Sequence, residues 1–224
     1  MTTTLFTNAH IATGEPGSTA ASTLPLQDIL VTDGVFTAFG PGLAQQYEAQ
    51  GGDLAAIEVV DLGGKLVCPP FCDTHLHLDY VFTARKPGAV NESGTLFEGI
   101  QRWSETKSDL TVDEIKQRAK IGIKKEMLHG VQLIRSHADV TDPNLTSLKA
   151  LLELKEELKD TVTLQIVSFP QEGMYSYEGP HGESGAELVE EGLKMGADCV
   201  GGIPHFEQLS LIHISEPTRP ISIS

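Results

Sequence analysis

Four apolar runs, each closing on polar residues and each separated from the next by helical stretches, constrain this chain more than any other feature. The runs are "LVCPPFCDTHLHL", "VQLIRSHADV", "TVTLQIVSFPQEG" and "DCVGGIPHFE". Between them lie "TLFEGIQRWSE" with "TVDEIKQRAKIGIKKEMLHG", then "NLTSLKALLELKEEL", then "SGAELVEEGLKMGA". Near-continuous apolar strands alternating with helices predict a parallel sheet covered by helices and joined by right-handed crossovers. The helical stretches carry their own punctuation. Leu96, Ile100 and Trp103 fall on one helical face. Thr111 with Glu114, and Ser184 with Glu187, have capping-box spacing, and Gly130 supplies a helix end.

The strand ends carry the chemistry. "THLHLD", "RSHAD", "FPQE" and "IPHFE" place His, Asp, Gln or Glu at the same end of every strand. In α/β barrels and open parallel sheets, sites form at the C-terminal ends of strands. Residues i and i+2 of a strand share a face, so His75 and His77 project together while Leu76 and Leu78 pack the other way. Asp79 continues the alternation and is expected to share that face and orient a neighbour. Imidazole nitrogens suit zinc, iron, nickel and copper. Two buried, hydrogen-bonded histidines are the competing reading, because a two-ligand pattern is weak without partners. His137 and His205 end the second and fourth strands and are expected to line the pocket without ligating a metal. For each of them, satisfying a neighbouring carboxylate is an equal explanation. His10, His129 and His181 read as surface residues.

Residues 1–67 have a different grammar, rich in Thr, Gly, Ala and Pro. "TLFTNAHIA", "DILVTDG", "VFTAFG" and "IEVVDL" read as short strands, with Asp33-Gly34 as a hairpin turn. "GLAQQYEAQGGDLAA" has room for a short helix. The expected division is a small β domain over 1–67 and four βα units over 68–207. The chain has 224 residues, short of the roughly 250 of a complete eight-fold barrel.

A net charge of −15 argues against nucleic acid and anionic membrane as partners. The acidity is spread over helical segments such as "ELKEELKD", as on solvated helix faces. Three cysteines, Cys68, Cys72 and Cys199, do not make a disulfide framework. "MTTTLFTNAH" has no basic region followed by an apolar core, and no run approaches the roughly 20 apolar residues of a membrane span. The cytoplasm is the expected compartment. The His-x-Glu and Pro-Cys-x-x-Cys signature of the zinc nucleobase deaminases is absent, as are phosphate and dinucleotide loops.

The end of the chain breaks the pattern. A helix is due after "IPHFE", yet Pro217 and Pro220 interrupt "LSLIHISEPTRPISIS", which has no helical period. "LSLIHISEPTR" resembles a translated sequencing-library adapter, so residues from about Leu209 to Ser224, His213 included, are set apart from fold reasoning. On that reading the authentic sequence breaks off after the fourth strand.

"LVCPPFCDTHLHLD" resembles the first-strand motif of the amidohydrolase superfamily. "NESGTLFEGIQRWSE", "RSHADV", "LQIVSFPQEG" and "ADCVGGIPHFE" resemble the cytosine deaminase branch, and the likeness spans roughly residues 60–207. The resemblance implies a distorted (β/α)8 barrel, of which this chain holds the first half, with a β-sandwich built from both chain ends. It implies one divalent metal, iron or zinc, with His75 and His77 as ligands. Such a metal lowers the pKa of bound water from 15.7 to about 7 and supplies hydroxide to the amino-bearing ring carbon. Gln171 would hydrogen-bond the ring amide of a nucleobase-like substrate, and the Leu96 backbone would face the base. The family's further ligands and acid–base residues lie on later strands, so no catalytic residue is assigned. The parent is expected to deaminate cytosine, or else another aminopyrimidine or an aminotriazine, and a homo-oligomer is compatible with it. The chain itself is expected to be an inactive fragment with an open sheet edge. A metal-binding module is the weaker alternative, lacking four closed ligands.

Overall fold

The computed structural model describes residues 2–12 and 24–207, without the side chain of His205. The terminal segment 208–224, with His213, lies outside the described residues. The chain divides into two compact units, Met1–Pro69 and Pro70 onward.

The first unit is a five-stranded sheet. Its strands are β1 (Thr3–Ile11), β2 (Leu26–Thr32), β3 (Val35–Gly40), β4 (Glu58–Asp61) and β5 (Leu66–Val67), with helix α1 at Leu43–Ala49. The order is β3-β2-β1-β4, and β5 also pairs with β1. The β2–β3 hairpin turns on Asp33 and Gly34, with φ of 49° and 78°. Two consecutive positive φ values match the twist of the flanking strands, which explains the Asp-Gly pair there. The short helix anticipated after Gly42 is α1. Its start is tied to the sheet by Asp28, whose carboxylate accepts the Leu43 N–H at 3.0 Å and the Asn8 N–H at 3.2 Å.

The second unit is a four-stranded parallel sheet in the order β6-β7-β8-β9. The strands are β6 (Phe71–Leu76), β7 (Val131–Asp139), β8 (Thr163–Phe169) and β9 (Cys199–Val200). Helices α2 (Leu96–Lys107) and α3 (Val112–Leu128) join β6 to β7, α4 (Thr146–Glu157) joins β7 to β8, and α5 (Gly185–Met195) joins β8 to β9. This is the element series of the first half of a (β/α)8 barrel. One sheet face carries Ile134 and Ala138 of β7 with Leu164 and Ile166 of β8, all buried against Ile115 and Ile123 of α3 and Leu148 and Leu151 of α4. Each fully buried leucine or isoleucine among them contributes about 1.5–3 kcal/mol. Alternation then sends Arg135, His137 and Gln165 to the opposite face.

Helix ends follow sequence chemistry, with differences. Ser184 and Glu187 form the complete reciprocal box at α5. At α3 only half of it forms. Thr111 accepts the Glu114 N–H, but the Glu114 carboxylate turns to Lys86 at 2.6 Å. On α2, Ile100 and Trp103 are buried as expected, whereas Leu96, in the first turn, is 69% exposed. The fourth strand is only two residues long. The chain continues irregularly into a short 3-10 turn at Pro204–Phe206. Among the described residues no helix is long and apolar enough to cross a membrane.

Candidate metal centre

His75 is the penultimate residue of β6 and His77 follows directly beyond its end. On the neighbouring strand, Leu76 pairs with Ser136, which sets His137 beside the histidine pair. The three imidazoles each present one nitrogen, all within 4.8 Å of one another. Nε2 of His75 and Nε2 of His77 are 3.4 Å apart. His75 stacks on His137 with ring centroids 4.3 Å apart, and His77 lies 5.3 Å from each of them. Sequence reasoning kept His137 apart from the ligand pair, whereas the structure puts it in the same group. The sequence signal was its position at the same strand end. The Leu76–Ser136 register that aligns it is invisible in one sequence.

The electrostatics favour neutral rings at His77 and His137. Burial pulls His77 down to about 4, and the facing His137 and His75 push in the same direction. His137 is lowered too, first by burial and then by His75. Metal ligation requires neutral imidazole, so neither His77 nor His137 needs to lose a proton at neutral pH. Nδ1 of His77 and Nδ1 of His137 are buried without hydrogen-bond partners. Two nitrogens bound tetrahedrally at about 2.0–2.1 Å stand about 3.3–3.4 Å apart, which the His75–His77 separation meets. The donor set therefore fits a borderline divalent metal such as zinc or iron.

Asp79 does not take the place that strand alternation suggests. β6 ends at Leu76 and the chain turns over residues 78–82. The Asp79 carboxylate is fully buried and accepts the N–H of Asp139 at 2.9 Å and of Tyr80 at 3.1 Å. Burial pushes its pKa up to about 7. The histidine beside it is held by rings instead. Tyr80 stacks on His77 at 4.6 Å and meets Trp103 tilted at 4.9 Å, while Phe169 meets His77 edge-on at 5.7 Å.

Tyr80 is also a wall of an adjoining cavity of ≈ 420 Å³. Gln171, just beyond β8, and Leu96, at the start of α2, line the same cavity with Asn91, Thr95 and Trp103. Gln171 is only 4% exposed. The loop before α2 is preformed. Glu98 accepts the N–H groups of Glu92 at 3.1 Å and Ser93 at 2.7 Å, and its pKa is lowered to about 2, first by the Ser93 side chain and then by these backbone bonds. The far end of α2 is tied to β7 through Asp139. Its carboxylate accepts from Trp103 at 2.7 Å, Lys107 at 3.1 Å and Thr141 at 2.6 Å. Lys107 also pairs with Glu172 at 2.6 Å, next to Gln171. Sequence reasoning missed Tyr80, Trp103, Lys107 and Asp139 as parts of the site surroundings.

The other histidines are remote in role. His129 caps α3 and His181 is exposed, but His10 on β1 is half-buried, with its Nδ1 enclosed. Surface placement therefore fails for His10, because β1 is an interior strand of its sheet. His205 lies on the turn after β9.

Residues 58–220 match the Amidohydrolase family, reaching into the terminal segment that sequence reasoning set apart. The structure is similar to that of 5-methylcytosine deaminase from Klebsiella pneumoniae liganded with 5-fluorocytosine. The two share 40% identity and a TM-score of 0.76, over 94% of this chain and 46% of that one. N-isopropylammelide isopropylaminohydrolase from Burkholderia multivorans is similar at 25% identity and a TM-score of 0.66, over 90% of this chain and 45% of that one. In sequence, the N-isopropylammelide isopropyl amidohydrolase of Pseudomonas sp. (strain ADP) is 35% identical over 148 residues. That stretch is 64% of this chain and 36% of the relative. The chain thus spans about a third of the length of the curated relatives it matches. With a family match over most of its length, the chain belongs to the amidohydrolase family.

Proposed function

We propose that the protein carrying this chain is a divalent-metal amidohydrolase that deaminates a cytosine-like aminopyrimidine, converting it with water to the oxo base and ammonia. The observation that carries the substrate class is Gln171. Its side chain is almost wholly buried and lines a cavity of ≈ 420 Å³. A side-chain amide both donates and accepts, which complements the adjacent carbonyl and ring nitrogen of cytosine. The exposed start of α2 at Leu96 lies on the same cavity, which supports a contact between its backbone and the base edge. His75 and His77 hold the metal, iron or zinc, and His137 lies close enough to join or support them. The metal supplies an activated water at neutral pH. Tyr80 and Trp103 form the aromatic side of the pocket, where a planar ring is stabilised by stacking.

A second reading within the same chemistry is an aminotriazine substrate, supported by the likeness to two N-isopropylammelide hydrolases. For the chain alone we infer no turnover. Among the described residues the metal-ligand group contains three imidazoles and no carboxylate that could ligate or shuttle protons. The expected setting is cytoplasmic, with a small-molecule partner and neither nucleic acid nor membrane. The test is ammonia release by the full-length parent on cytosine, isocytosine and aminotriazines, reconstituted with iron or zinc. Turnover of cytosine supports the first reading, preference for an aminotriazine the second, and inactivity on all three overturns both.

A further inference from the structure

We propose that Tyr80 is the positioning residue for His77, fixing the imidazole through its face where no hydrogen bond fixes it through its second nitrogen. The inference rests on the metal reading of the histidine group. A metal-binding histidine is ordinarily oriented by a hydrogen bond from the ring nitrogen opposite the metal. Nε2 of His77 points at Nε2 of His75, 3.4 Å away, so Nδ1 is that opposite nitrogen. It is buried and has no partner. Orientation must therefore come from packing.

Among the described rings around His77, Tyr80 is the one that lies flat on it, at 4.6 Å and 24°. Phe169 meets it at 67°, His75 at 53° and His137 at 35°. Tyr80 is itself immobilised. Its backbone N–H donates to the buried Asp79 carboxylate at 3.1 Å, and its other neighbour is the Trp103 ring. Trp103 is pinned in turn by its N–H bond to Asp139 at 2.7 Å. The row of rings His77–Tyr80–Trp103 thus ends on a fixed polar anchor at the end of β7. The same Tyr80 ring borders the cavity with Gln171 and Leu96, so one aromatic plane serves both the metal ligand and the pocket. The contact is made by the ring and not the hydroxyl. Phenylalanine should therefore replace it and an aliphatic side chain should not.

The test uses Co2+ as the probe on the 224-residue chain, read by visible absorption and titration. Wild type and Tyr80→Phe are expected to give the same band and affinities within about twofold, while Tyr80→Leu loses about tenfold or more, the effect of removing a support to a ligand. The Leu variant should also shift the band, with its circular dichroism unchanged. If Tyr80→Leu does not fold, Tyr80→Met fills the space with a flexible chain and carries the same expectation. Wild-type affinity and band in the Leu or Met variant overturn the inference, as does a loss in Tyr80→Phe equal to that in Tyr80→Leu. A wild-type chain that takes up no Co2+ overturns the metal reading itself, and this inference with it.

Discussion

The indole N–H of Trp103 donates to the carboxylate of Asp139 across 2.7 Å, joining the middle of α2 to the end of β7. The two residues are 36 apart in sequence, and both are almost wholly buried. Asp139 also receives Lys107, whose side chain is only 11% exposed. The bond therefore belongs to a charged cluster and fixes the wall of the cavity relative to the histidines.

Asp139→Asn keeps the shape of the cluster but removes the more buried of the two carboxylates paired with Lys107, leaving Glu172, and turns an acceptor into a donor. The expected loss is about 3 kcal/mol, the scale of breaking one side of a buried pair. Trp103 is the sole tryptophan, so its emission during urea unfolding reads this loss directly at the site. A loss under about 1 kcal/mol, the scale of an exposed pair, would show that the cluster is not structural.

Asp79 predicts a pH signature of the metal-free chain. Its folded pKa is raised to about 7 from 3.8, chiefly by burial. A raised acid binds its proton more tightly when folded, so its contribution is full below about 3.8 and is lost as pH rises through about 7. Asp79→Asn abolishes that titration. The stability difference between variant and wild type should therefore move in the variant's favour as pH rises from about 4 to about 7. His77 titrates in the opposite sense in both proteins, since its lowered pKa removes stability as pH falls from 6.5 toward about 4. It cancels in the comparison. A pH-independent difference in urea midpoints would contradict the assignment.

Helix α5 sits on β8 through Gly192. A Cβ there would lie 2.3 Å from Ser168 Oγ and 3.1 Å from Leu148 Cδ2, both on buried residues. Gly192→Ala is expected to destabilise by about 1–3 kcal/mol through overpacking, despite the better helix propensity of alanine. A neutral or raised thermal midpoint would show that the interface has slack.

Much of this was legible in the amino-acid order. The alternation of apolar runs and amphipathic stretches gives the parallel sheet and its helices, because both periods are local. The Asp33–Gly34 hairpin and the Ser184–Glu187 box are local too. What escaped depends on contacts distant in sequence. His137 joins His75 and His77 through the register of β6 on β7, some 60 residues apart. Asp79 follows a chain reversal that strand alternation does not foresee, and its partner is the Asp139 backbone. Leu96 has the spacing of a core residue, but it begins α2 beside a cavity and stays exposed. Glu114 has the spacing of a capping box, yet Lys86 offers it a stronger partner than a backbone N–H.

The most direct measurement is the metal content of the purified chain after zinc or iron loading and gel filtration, beside the double variant His75→Ala, His77→Ala. One bound ion per wild-type chain and none in the variant is the predicted result. A wild-type chain without metal, or a variant that retains as much, would contradict the assignment of this histidine group as a metal centre.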